Sequence, residues 1–183
     1  MRTILIWGML ALLLPVSVHG QQIPATAETV PLTVWSQLED ARAIQPADAG
    51  PADVQVIFDP FCPASANLYR KVRQEHQGAA VRWIPVAYYR RESAAVAHAL
   101  LAAESPFQAM GAQLESLSRP EASRARAPRQ ATREAVNPVV LQQAQELGAY
   151  TPMVFSRSPS GGVTLHKGHY SSAIEQALGA ADR

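Results

Sequence analysis

A nearly unbroken apolar run, Val54-Gln-Val-Ile-Phe58, is followed at once by Asp59-Pro60-Phe61, the chain's single cysteine at position 62, and Pro63. β-Branched and aromatic residues in such a run predict a strand buried on both faces. Asp59-Pro60 ends it, because proline has no N–H to give to a ladder. Pro63 suits the first position of a helix, where a missing N–H has no partner to lose. Leu68, Tyr69 and Val72 then recur at helical spacing through Gln74. These signals put Cys62 at a helix N-terminus on the rim of a sheet. Free N–H groups and the helix dipole favour an anion there, so the thiol is expected to be exposed and shifted toward its thiolate. The alternative for a lone cysteine is a small core residue.

The rest of the chain supplies the partners of this strand and helix. Residues 21–33 carry proline and threonine without a period and read as a linker. A short helix is expected over Val34–Ala43, then a short strand at Ile44-Gln45 and a turn over Pro46–Pro51. Val81–Tyr89 reads as a second buried strand, with Pro85 implying a bulge or an early end. Helices are expected from Ser93 as a cap, from Ser105-Pro106 and from Asn137-Pro138, the last stopped by Gly148. Met153–Arg157 and Val163–His166 form a hairpin across Ser158–Gly162. Ser172-Ala-Ile-Glu175 has the form of a capping box opening a final helix through Leu178.

The strand–Cys-Pro–helix pattern resembles the thioredoxin superfamily. The wording Asp59-Pro60-Phe61-Cys62-Pro63 is most similar to the periplasmic DsbC/DsbG disulfide isomerases, whose motif reads D-P-x-C-P-x-C; Ile84-Pro85-Val86 also resembles DsbG-type sequences. Where that family has its second cysteine this chain has Ser65. The resemblance implies an α/β, thioredoxin-like fold, a central mixed sheet flanked by helices, over residues 34–183, with a helical insertion at about 93–148. It also implies that Thr151-Pro152 is the loop in which a threonine precedes a cis-proline facing the cysteine. Cys62 would then be the attacking thiol, with Ser65 as hydrogen-bond partner of its thiolate. Pro63, Thr151 and Pro152 would hold the substrate chain. That family carries a dimerisation domain ahead of its catalytic domain. Too few residues precede Val54 here for such a domain, so a monomer is expected.

Composition sets the wider bounds. The chain has 183 residues, 48% hydrophobic and 17% charged, with a formal charge of +1. That is an ordinary globular domain, and its charge favours neither nucleic acid nor a membrane surface as partner. Residues 1–20 read as a cleaved secretory signal peptide: Arg2, an apolar run over Ile4–Val16, and Val18 and Gly20 before the cut. The alternative is an uncleaved anchor. A periplasmic protein with one unpaired cysteine points to intermolecular pairing or a reactive thiol. Partners are then protein substrates held as mixed disulfides, with glutathione or a second Dsb-type protein to resolve them. A non-catalytic peptide-binding or assembly module, for example of an envelope transfer or secretion apparatus, is the other class that fits. His76 and His98 lie apart, His166 and His169 straddle Lys167-Gly168, and with one cysteine and no carboxylate at ligand spacing neither metal nor cofactor is expected. Arg119, Arg124, Arg126, Arg129 and Arg133 form either a solvated segment or a polyanion patch, with no aromatics between them for base stacking.

Overall fold

The computed structural model describes residues 26–118 and 134–181. The signal-peptide and arginine-cluster expectations therefore lie outside the described residues. Among the described residues five strands form one mixed sheet: β1 (Thr26–Val30), β2 (Val54–Phe58), β3 (Val81–Pro85), β4 (Met153–Arg157) and β5 (Val163–Lys167), in the order β1-β5-β4-β2-β3. Six helices accompany them among the described residues: α1 (Leu32–Asp40), α2 (Pro63–Glu75), α3 (Ser93–Leu101), α4 (Pro106–Ser116), α5 (Pro138–Glu146) and α6 (Tyr170–Ala181). β2 and β3 run parallel, joined through α2, while β4 runs antiparallel to both β2 and β5. A parallel β–α–β unit followed by an antiparallel β–β–α unit in this order is the thioredoxin-like fold. α3, α4 and α5 stand between the two units, as the resemblance implied.

Every residue of β2 is buried. Side chains alternate across a strand, so Val54, Val56 and Phe58 enter one core with Leu68, Tyr69, Trp83, Met110 and Ile174. Ile57 enters the other with Trp35, Leu38, Phe155 and Val140. α2, α4 and α6 cover the first face, and α1 and α5 cover the second. Where α2 meets α4, Gly111 faces the tip of Tyr69: a Cβ there would collide with the hydroxyl and lie 3.2 Å from Cζ. The Tyr69 ring is wedged edge-on against Trp83 and Phe107, with centroids 5.7 and 6.1 Å away. Gly111→Ala should therefore lose about 1–3 kcal/mol by overpacking, only partly offset by the roughly 1 kcal/mol of better helix propensity. The urea midpoint should fall, and an unchanged midpoint would mean that Tyr69 moves freely.

Several boundaries differ from the sequence expectation. Residues 26–30 are an edge strand and not linker, paired antiparallel with β5 in the register Thr26↔Lys167 to Val30↔Val163. Only Val30 of β1 is buried, so no alternation marks the strand, and its backbone pairing holds it. The first helix begins at Leu32 and ends at Asp40, where the Arg82 guanidinium takes the carbonyls of Leu38, Glu39 and Ala41. A cation at a helix C-terminus satisfies carbonyls that the helix leaves open. Ile44 makes a single antiparallel bridge to Trp83 and no longer strand. β3 stops at Pro85, the early end its proline predicted. The last helix starts at Tyr170, with the Ala173 N–H on the His169 carbonyl. Ser172 lies inside the helix and not at its N-cap, and the Lys71 ammonium of α2 meets the Glu175 carboxylate at 2.8 Å.

A buried pair joins β4 and β5: His166 is 3% exposed and its Nε2 lies 2.8 Å from Ser156 Oγ. Burial lowers the His166 pKa below its ordinary value, and a hydrogen bond with Gln176 opposes the shift. Its contribution to stability is complete above the unfolded value of about 6.5 and declines as pH falls toward the lowered folded value, by at most about 1.4 kcal/mol per unit. The urea midpoint of the wild type should fall more between pH 7.5 and 5.5 than that of His166→Asn. Equal falls would exclude the effect.

Candidate active site

The fold brings Cys62 and the Thr151-Pro152 loop together through strand register. β4 lies beside β2 with Met153 opposite Ile57. The residues just before β4 therefore meet those just after β2, 89 positions away in sequence. Cys62 is the N-cap of α2, in extended conformation (φ −79°, ψ 117°), and Pro63 follows in the first turn. Its N–H bonds the Asp59 carbonyl at 3.0 Å, and its own carbonyl takes the Ala66 N–H at 3.1 Å. The thiol donates to the Thr151 carbonyl at 3.2 Å. The Thr151–Pro152 peptide is cis. Gly148 and Ala149, both at positive φ, turn the chain out of α5 into this loop.

Two expectations are corrected. Cys62 is 5% exposed, so the thiol is buried and not open. The N-terminus of α2 faces the 151–152 loop across the sheet rim, and that loop supplies the acceptor of the thiol. Ser65 is fully buried one turn on, and among the described residues its Oγ has no partner. The expected Ser65-to-sulfur hydrogen bond is therefore not formed. A buried hydroxyl left without a partner costs about 1–3 kcal/mol.

Sequence reasoning gave the Asp59 side chain no role in the site, reading the residue as a strand stop and as part of the motif. It is fully buried. Its Oδ1 accepts the Phe61 N–H at 2.8 Å and the Ser93 hydroxyl at 3.0 Å. Its Oδ2 accepts the N–H groups of Tyr88 and Tyr89, both at 2.7 Å. One carboxylate thus ties the turn that carries Cys62 to the loop after β3 and the start of α3. Ser93, expected as a helix cap, is instead the first residue of α3 and serves this cluster; Glu92 holds the cap position. Gln113 of α4 adds a bond from its Nε2 to the Pro60 carbonyl at 3.0 Å. The Asp-Pro pair was the available signal. What a buried carboxylate accepts depends on loops thirty residues away, which no local pattern records.

Other features lie apart from the thiol. A cavity of about 640 Å³ opens at the opposite end of the sheet, between the Pro46–Gly50 turn and the start of α4. Glu75, His76 and Glu175 bring three ligand-type atoms within 4.8 Å of one another, a grouping the sequence did not reveal. The Lys71 ammonium is already there, 2.5 Å from Glu75 and 2.8 Å from Glu175. It raises its own pKa and lowers that of Glu175 through these bonds. Among the described residues no helix is long and apolar enough to cross a membrane.

The sheet order and the Cys-Pro helix start opposite a cis-proline define an α/β protein of thioredoxin-like fold. No protein-family model and no curated protein matches the chain. Among solved structures it is similar to a conserved protein of unknown function from Enterococcus faecalis V583, at 12% identity and a TM-score of 0.51, over 84% of this chain and 98% of that one. A thioredoxin-like oxidoreductase from Silicibacter pomeroyi DSS-3 matches at 20% identity and 0.44, over 80% and 98%. Reduced DsbA1 from Neisseria meningitidis matches at 18% identity and 0.44, over 90% and 93%. What the chain shares with the enterococcal protein at 12% identity is the fold.

Proposed function

We propose that this protein is an exported, single-cysteine thiol:disulfide interchange protein of the DsbC/DsbG kind, acting in the periplasm on disulfides of envelope proteins. The observation that carries this reading is the Cys62 thiol at the N-terminus of α2, 3.2 Å from the carbonyl that precedes cis-Pro152. Cys62 loses its proton to solvent, and the thiolate attacks one sulfur of a substrate disulfide. A Cys62–substrate disulfide forms, and the substrate's other sulfur leaves as a thiolate. That thiolate, or another on the same substrate, attacks the substrate sulfur of the mixed disulfide and releases Cys62. Electrons balance without an outside oxidant, so one cysteine suffices for isomerisation. Net oxidation or reduction needs a further thiol, from glutathione or a second Dsb-type protein. The substrate chain lies against the backbone at Thr151 as a short added strand. A monomer suffices for all of this.

The burial of Cys62 and its bond to Thr151 favour a second reading. A thioredoxin-fold module that binds peptides at the same loop without exchange chemistry would also hold its thiol covered. The two separate in cells that are acid-quenched and alkylated. The exchange reading expects adducts on Cys62 that reductant removes and that Cys62→Ala lacks. Absence of adducts, with alkylation of Cys62 only in the unfolded protein, would establish the binding module instead.

A further inference from the structure

Large apolar side chains exposed among the described residues include Tyr88 at 47% and Tyr89 at 51%. They are consecutive, and hydrogen bonds through Asp59 tie their backbone to the turn that carries Cys62. Both of their N–H groups sit on Asp59 Oδ2, and the Asp59 carbonyl holds the Cys62 N–H. Two tyrosines are thus presented on a turn fixed by a buried carboxylate, one hydrogen bond from the residue that carries the sulfur. Two arginines follow. The Arg90 guanidinium lies 5.0 Å over the ring of Phe61, the residue before Cys62. Arg91 is exposed. The acid in this segment is Glu92, half-buried at the N-cap of α3.

Fixed tyrosines beside arginines form the residue pairing that protein interfaces favour. Tyrosine gives a large amphipathic contact with few torsions to freeze, and arginine supplies charge on a plane that also stacks. A thiol only 5% exposed cannot itself select a partner, so the surface beside it must hold the chain that brings the disulfide. Resting on the exchange reading above, we propose that Tyr88, Tyr89, Arg90 and Arg91 form the substrate-docking rim of Cys62, and that the preferred substrate is a polypeptide cysteine flanked by acidic residues. The aromatic pair contributes contact to any peptide, and the arginine pair sets the preference for negative charge.

The test uses the mature protein and four probes: dithiodipyridine, a small neutral disulfide, and three peptides whose one cysteine is a mixed disulfide with a neutral thiol. The peptide cysteine is flanked by Asp/Glu, by Ser/Gly or by Lys. At low salt the wild type should react about tenfold faster with the acidic than with the basic peptide, and the gap should close as salt rises. Arg91→Glu should shrink or invert that gap. Tyr88→Ser/Tyr89→Ser should slow all three peptides by about fivefold or more, which is the loss of roughly 1 kcal/mol of contact. Dithiodipyridine should react at the wild-type rate with both variants. Equal rates for the acidic and basic peptides, or equal slowing of the small disulfide, would overturn the docking rim and leave the exchange function standing. Inertness toward dithiodipyridine as well would bring down the exchange function itself.

Discussion

Asp59→Ala should be among the most damaging single substitutions in this protein, at about 3–5 kcal/mol of stability. The carboxylate is fully buried and accepts from three backbone N–H groups and one hydroxyl. Alanine leaves those donors without partners, and each unsatisfied buried group costs about 1–3 kcal/mol, less whatever water enters to replace the carboxylate. Asp59→Asn keeps the shape but turns an NH2 toward two of the donors, so it should lie between alanine and wild type. The loss should appear as a lower urea midpoint. In any folded fraction, the reaction of Cys62 with peptide disulfides should slow more than its reaction with dithiodipyridine, because the turn that presents Tyr88 and Tyr89 has lost its anchor. A wild-type midpoint in Asp59→Ala would mean that the four bonds contribute nothing net.

Ser65→Cys should convert the site from a monothiol that depends on its substrate or a second protein for release into a self-clearing dithiol. Position 65 lies one helical turn beyond Cys62, on the same face of α2. For adducts that the substrate's own thiol does not reach, a thiol there meets the mixed disulfide at an effective concentration on the order of millimolar or more, against micromolar thiols on separate proteins. Adducts on Cys62 should therefore disappear about 10³-fold faster than in the wild type, leaving an internal 62–65 disulfide. Stability should not suffer. Ser65 Oγ is buried without a partner among the described residues, and a thiol bears such burial better than a hydroxyl. Ser65→Ala should for the same reason hold stability or raise it, with adducts as persistent as in the wild type. Alkylation followed by mass measurement distinguishes the dithiol from the disulfide. If adducts persist equally in Ser65→Cys, the two sulfurs do not meet and the site is not built on the dithiol plan.

Much of this was legible in the sequence because the relevant physics is local. Proline cannot donate and fixes its own torsion, so Pro60, Pro63, Pro106 and Pro138 marked one strand end and three helix starts. Each helix begins at the proline expected. The apolar run at 54–58 became the doubly buried strand its composition required. β1 escaped notice because four of its five residues are exposed and its partner lies more than a hundred positions on. The capping box at Ser172 misled because the helix starts two residues earlier, at Tyr170, with the His169 carbonyl taking the Ala173 N–H.

The sequence by itself determined that a single cysteine would stand at the start of a helix after a buried strand, because strand burial and helix starts are properties of short stretches. Only the tertiary structure decided what surrounds that cysteine. The register of β4 on β2 brings the Thr151 carbonyl to the sulfur, and the packing of the loop after β3 gives Asp59 its donors. Contacts 30 and 89 residues apart arise from the closing of the whole sheet, and no periodicity in a chain encodes the partner a side chain meets across it.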